Sequence, residues 1–166
     1  MPYTRTTYNT GDLITAAKLN GPEAYLNRVG NSRVRAYRSG STQSLTSGVA
    51  TEVVFNSEDY DTLGEFATGT GRFTAAAAGT YLVAAGVALG YGVTASAETV
   101  LMLYKNGALH SYLCDISTTG VPQLNGAALI ELAATDYISI YVTAPGTSPF
   151  VTNSQTRTFF TVSCIQ

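Results

Sequence analysis

From about residue 33 onward, hydrophobic and polar positions alternate in short segments divided by turn residues. Arg33-Val34-Arg35-Ala36-Tyr37-Arg38 alternates at period two, the signature of a strand, and Ser39-Gly40-Ser41 ends it. Residues 53–55 form a short apolar strand. Residues 56–64 read as a polar loop carrying Glu58, Asp59 and Asp61. Gly69-Thr70-Gly71 is a turn before a strand at 72–74. Residues 80–89 are a near-continuous apolar run, as expected of a strand covered on both faces. Strands at 99–104 and 109–116 flank Asn106-Gly107, a pair that tolerates positive φ and is the strongest hairpin signal in the chain. Residues 125–132 follow the Thr118-Thr119-Gly120 turn. Residues 137–142 alternate cleanly, which assigns Ile138, Ile140 and Val142 to a core and sets Tyr137, Ser139 and Tyr141 on the other face. The 145–149 loop and a last strand at 158–165 complete a series of eight or more short strands. Turns recur about every ten residues, which predicts an all-β sandwich or jelly roll.

The first thirty residues follow another pattern. Thr10-Gly11-Asp12 is a turn, Thr15 caps a short helix over 16–19, Asn20-Gly21 breaks it, and Pro22 opens a second helix over 23–29. Leu26 and Val29 share a face of that helix. Helices this short are marginal alone and need something to dock on. The chain therefore divides into an N-terminal attachment segment, 1–32, and a jelly-roll domain, 33–166.

Composition sharpens this division. The length of 166 residues suits one domain with a short appendage. Only 12% of residues are charged, against about 25% in an ordinary soluble domain, which implies a surface largely covered, most simply by copies of the chain itself. Residues 1–40 carry six bases and two acids, whereas 41–166 carry three bases and nine acids. The bases are spread along an alternating stretch, unlike the dense basic arm of a nucleic-acid binder, so no nucleic-acid partner is expected. No secretion signal and no membrane-spanning apolar stretch stand in the sequence, so neither export nor membrane insertion is expected. Cys114 and Cys164 lie too far apart for a zinc framework or a CxxC redox site. They read as buried free thiols, with a bridge between them as the alternative.

Catalytic chemistry finds little support. His110 is the one histidine, and in a strand it and Ser111 point to opposite faces, so they are not expected to pair. The acids Glu58, Asp59 and Asp61 offer oxygen ligands of the kind Ca²⁺ prefers, but without an EF-hand pattern they read first as a solvated loop, and no cofactor is implied. A glycoside-cleaving enzyme would need a carboxylate pair in a cleft, for which nothing specific is present.

Two stretches carry a resemblance. The run from Phe66 to Ala75, containing Thr70-Gly71-Arg72-Phe73-Thr74, followed by Gly79-Thr80-Tyr81, resembles the core motif of the complement C1q globular head, a member of the tumour necrosis factor-like jelly rolls. Lys105-Asn106-Gly107, Leu124-Asn125-Gly126, Asp136-Tyr137-Ile138 and Thr158-Phe159 continue it in order, so it covers about 45–166. This chain departs from the family pattern at Ala76, where proline is usual, at Thr135, where glycine precedes the acid, and at Phe160, where glycine is usual. The segment from Gly11 to Asn20 is similar to a stretch near the N-termini of bacteriophage fibre and virion appendage proteins; the similar region spans about 8–29 and implies attachment through residues such as Asp12, Ile14, Lys18, Leu19 and Leu26.

Together these imply a non-enzymatic, homotrimeric virion structural protein: a fibre, head-fibre or decoration subunit. It would be made in the host cytoplasm, anchored to another virion protein through 1–30, and display a jelly-roll head. Tyr137 and Tyr141 are candidates for the trimer interface. The loops 56–64, 90–97 and 145–155 are candidates for a host-surface receptor, through Asp59, Tyr60, Ser148 and Phe150. The alternative is a stand-alone soluble recognition module for a protein or carbohydrate ligand.

Overall fold

The computed structural model describes residues 31–90, 98–117 and 120–166. The attachment segment and its expected helices lie outside the described residues, as does most of the 90–97 loop. Thirteen strands are described: β1 Arg33–Tyr37, β2 Gln43–Ser44, β3 Thr51–Glu52, β4 Ser57–Asp61, β5 Phe66–Ala67, β6 Arg72–Thr74, β7 Gly79–Ala88, β8 Glu98–Lys105, β9 Ala108–Ser117, β10 Gln123–Leu132, β11 Tyr137–Thr143, β12 Phe150–Val151 and β13 Phe159–Cys164. One sheet has the order β10-β7-β13-β1-β4, and its described pairings are all antiparallel. The second has the order β5-β6-β11-β8-β9, with β3 also on β11. A small β12-β2 pair closes one end. Neighbours distant in sequence, such as β1 and β13, make this a jelly-roll arrangement and not a meander.

The two sheets bury alternate residues of their strands, among them the Ile138, Ile140 and Val142 face that the sequence pattern assigns to the core. Val34, Ala36, Val83, Ile138, Ile140, Val142, Phe160 and Val162 are fully or almost fully buried. Aromatic rings fill the wider parts of the core: Phe55 stacks on Phe160 with centroids 5.6 Å apart, and Phe73 meets Tyr81 edge-on at 5.5 Å. Asn106 and Gly107 take φ of 51° and 81°, as the β8-β9 hairpin requires.

Several expectations are corrected. Residues 57–61 are a strand, β4, not a polar loop, because Tyr37, Ala36, Arg35 and Val34 of β1 supply its backbone partners. The residues that do turn are 62–65, where the Asp61 carboxylate accepts the amides of Glu65 and Phe66 at 3.0 and 2.8 Å. Arg38, the last base of the alternating stretch, is buried and donates to the Val54 carbonyl at 2.8 Å. Both cysteines are free thiols, but only Cys164 is buried and Cys114 is partly exposed. β7 is covered on both faces only from Ala85 on, with Leu82 43% exposed.

Candidate functional site

The outer face of the five-stranded sheet is built from residues opposite the core positions of β10, β7, β13 and β1. Pairing aligns them in rows: Leu129 with Leu82 and Ser163; Ala127 with Ala84 and Thr161; Asn125 with Gly86 and Phe159. Leu82 and Leu129 are 43% and 59% exposed, so the β10-β7 side of this face is an apolar, small-residue surface open to water. Toward β1 the face becomes polar: the Arg35 guanidinium lies 5.7 Å from the Phe159 ring centroid and pairs with Asp59. An apolar patch beside a charged border is the anatomy of a protein contact surface.

The other sheet carries Tyr137 and Tyr141, with Ile138, Ile140 and Val142 behind them in the core as expected. Tyr141 stacks on Tyr104 with centroids 4.0 Å apart, and its hydroxyl donates to Glu52 at 3.3 Å. Arg72 holds Glu52 through two contacts, Nε–Oε1 at 2.8 Å and Nη2–Oε2 at 2.9 Å, while its guanidinium covers the Tyr137 ring. Glu52 holds the Arg72 guanidinium well above its ordinary pKa; burial first, then the Glu52 charge, raises that of Tyr141. Both tyrosines thus already have partners within their own chain, chosen by the β3-β11 and β6-β11 pairings.

The four receptor-loop candidates separate into two places. Ser148 and Phe150 come together with Thr42, Ser44, Leu45 and Pro149 around a depression of about 410 Å³ beside the β12-β2 pair. Ser148 has φ of 53°, and the Phe150 ring packs so closely on Gly90 that no side chain fits there. Asp59 and Tyr60 sit instead on the edge strand β4. Asp59 pairs with Arg35 and accepts from Gln155 Nε2 at 2.7 Å, which ties β4 to the 152–158 connection. Its neighbours Glu58 and Asp61 do not converge with it on a cation, and no group of three potential metal ligands exists among the described residues. His110 Nδ1 lies 3.3 Å from Ser111 Oγ, contrary to expectation, because the β8-β9 register shifts between Leu103 and Tyr104 and leaves His110 as the extra residue. Both residues lie on β9, and among the described residues no carboxylate is bonded to the ring.

This two-sheet arrangement has known counterparts. The C1q domain model matches residues 36–162. The chain belongs to the C1q domain family. The globular domain of zebrafish complement 1qA protein superposes with a TM-score of 0.60 at 18% identity, covering 81% of this chain and 98% of that one. Murine APRIL at pH 5.0 gives 0.61 at 14% identity over 80% and 98%, and Eiger TNF from S. frugiperda gives 0.59 at 14% over 81% and 92%. At such identities the likeness speaks for the fold alone. No curated protein sequence matches the chain. The C1q match begins at Ala36 and so leaves the fibre-like segment outside it.

Proposed function

We propose that this C1q domain is a non-enzymatic, homotrimeric recognition module whose protomers meet through the outer face of the five-stranded sheet. The observation that carries the reading is the open apolar surface around Leu82 and Leu129, continuous with the small residues Ala84 and Ala127. Burying it removes apolar area from water, and the small side chains of Ala84 and Ala127 let a neighbouring chain approach closely. C1q/TNF-like homologues form homotrimers and bind ligands or receptors, which supports the same assembly here. In this arrangement the Tyr104-Tyr141 stack and the Ser148-Phe150 depression remain on the outside, available to a ligand.

A virion role rests on the resemblance of residues 8–29 alone, whereas the family match favours the recognition module. Sedimentation of the full chain at micromolar concentration tests the proposal. Three times 17.4 kDa is expected, and a monomer of 17.4 kDa would overturn it.

A further inference from the structure

The outward face of the six-stranded sheet holds a groove of about 290 Å³ lined by Glu98, Val100, Met102, Tyr112, Asp115 and Thr143. Val100 and Met102 form its floor and are only 8% and 5% exposed. Strand pairing sets Val100 between Asp115 and Thr143, and Met102 between Tyr112 and Tyr141. Tyr112 stands beside this floor with 66% of its surface exposed. Glu98 and Asp115 are exposed and form no ion pair with any described residue, although each of the other two carboxylates paired across this sheet, Glu52 and Asp136, has a basic partner.

A bulge creates this combination. Side chains in a regular strand alternate, so Tyr112 and Asp115, three apart, would point to opposite faces. The register shifts between Leu101 and Met102, where Leu113 is the extra residue, and this turns Tyr112 to the face that carries Asp115. Leu113 is itself packed against the core, and Gly126 of β10 admits its backbone: a Cβ there would stand 2.5 Å from the Leu113 carbonyl oxygen. The bulge is therefore fixed by packing on its far side.

From this geometry we infer that the groove binds a lysine or arginine side chain of a partner polypeptide. The aliphatic stem lies on Val100 and Met102, and the cationic head meets the Tyr112 ring and the carboxylates of Glu98 and Asp115. The elements match one another: an apolar floor suits a methylene chain, and an aromatic face with two carboxylates that no described base pairs suits a cation. Anionic ligands are repelled by the same two acids. The inference rests on the recognition-module reading and names the partner chemistry for it.

The chain has two methionines, Met1 and Met102, so a methyl-¹³C-methionine sample gives a simple spectrum in which the Met102 methyl reports on the groove. Titrating the full-length protein with a capped tetra-arginine peptide at low salt is expected to shift the Met102 methyl resonance saturably. Capped tetra-glutamate should leave it in place. Glu98→Gln with Asp115→Asn should weaken the tetra-arginine affinity roughly tenfold. Tyr112→Leu should weaken it about threefold, and Tyr112→Phe should retain it. These side chains are exposed, so the variants keep the fold. A silent Met102 methyl, or a shift undiminished in the Glu98→Gln/Asp115→Asn variant, overturns the proposal. Sedimentation separates the two readings: a trimer with a silent Met102 loses the groove alone, and a monomer with a responsive Met102 loses the assembly alone.

Discussion

Thr135 and Asp136 show how single residues set the margins of this fold. Thr135 has φ of 72°, a conformation that a β-branched residue rarely adopts, at the position where the C1q pattern resembled by this chain carries glycine. The left-handed conformation costs an L-residue about 1–2 kcal/mol, more than the roughly 0.4–1 kcal/mol that glycine adds in unfolded-chain freedom. Thr135→Gly is therefore expected to stabilise the protein by about 0.5–1 kcal/mol. A lower denaturation midpoint would show instead that the threonine side chain makes a compensating contribution. Asp136 accepts from Asn106 Nδ2 and from the Ala133 amide, both at 2.8 Å, and from Lys105 Nζ at 2.9 Å. Led by the Asn106 bond, these donors lower its pKa to about 2. A carboxyl depressed in the folded state stabilises above its unfolded pKa, near 4, and that stabilisation is lost as pH falls toward 2. Asp136→Asn should flatten the acid limb of a stability profile between pH 4 and 2, and an unchanged limb would place the acid sensitivity elsewhere.

At the scale of elements, β9 departs furthest from a regular strand. Its two irregularities, at Leu113 and at His110, change which side chains share a face, so a strict period-two reading misassigns both Tyr112 and the His110-Ser111 pair. The Asn106-Gly107 turn announces the hairpin, because its chemistry is local. No residue in 108–117 announces the bulges, and that at Leu113 packs against Gly126 across the molecule in β10. Gly126 is the test. Its Cβ position lies 2.5 Å from the Leu113 carbonyl oxygen and 2.7 Å from the Leu113 Cβ, so any side chain must push β9 and β10 apart. Gly126→Ala should cost about 1–3 kcal/mol in urea denaturation, the range for overpacking a tight site. An unchanged midpoint would mean that the two strands separate freely there.

For the whole molecule, the apolar run at 80–89 is the clearest clue to assembly. Its sequence is that of a strand covered on both faces, yet a single chain leaves Leu82 43% exposed and its partner Leu129 59% exposed. A second protomer at the proposed interface would resolve the difference. Leu129→Glu would set a charge in the middle of the proposed interface and is expected to yield monomers in sedimentation. Leu63→Glu, equally apolar and 48% exposed but in the 62–65 turn, should stay assembled. The wild-type melting midpoint should also rise with protein concentration, as it does for any protein stabilised by its own association. If Leu129→Glu sedimented as the wild type does, the contact surface would have to be sought elsewhere, with the Tyr137-Tyr141 face as the next candidate.

The local sequence determined the all-β class and the inward set of β11 through alternation, the β8-β9 hairpin through Asn106-Gly107 and, through the motif from Phe66 to Tyr81, the resemblance to C1q. These are local properties: side-chain direction in a strand follows from backbone geometry, and the Asn-Gly turn from the φ values those two residues tolerate. Tertiary structure decided the rest. β4 is a strand because β1 offers it an edge, although its own residues, Ser57-Glu58-Asp59-Tyr60-Asp61, read as a loop. Asp59 became an ion-pair partner of Arg35 and not a solvated loop acid. Tyr112, Glu98 and Asp115 gather around Val100 and Met102 only once β8 has paired with β9 and Leu113 has been held out of register by Gly126. The physical reason is the same in each case: these positions are set by which distant backbone a segment meets, and that partner is not encoded in the segment's own pattern.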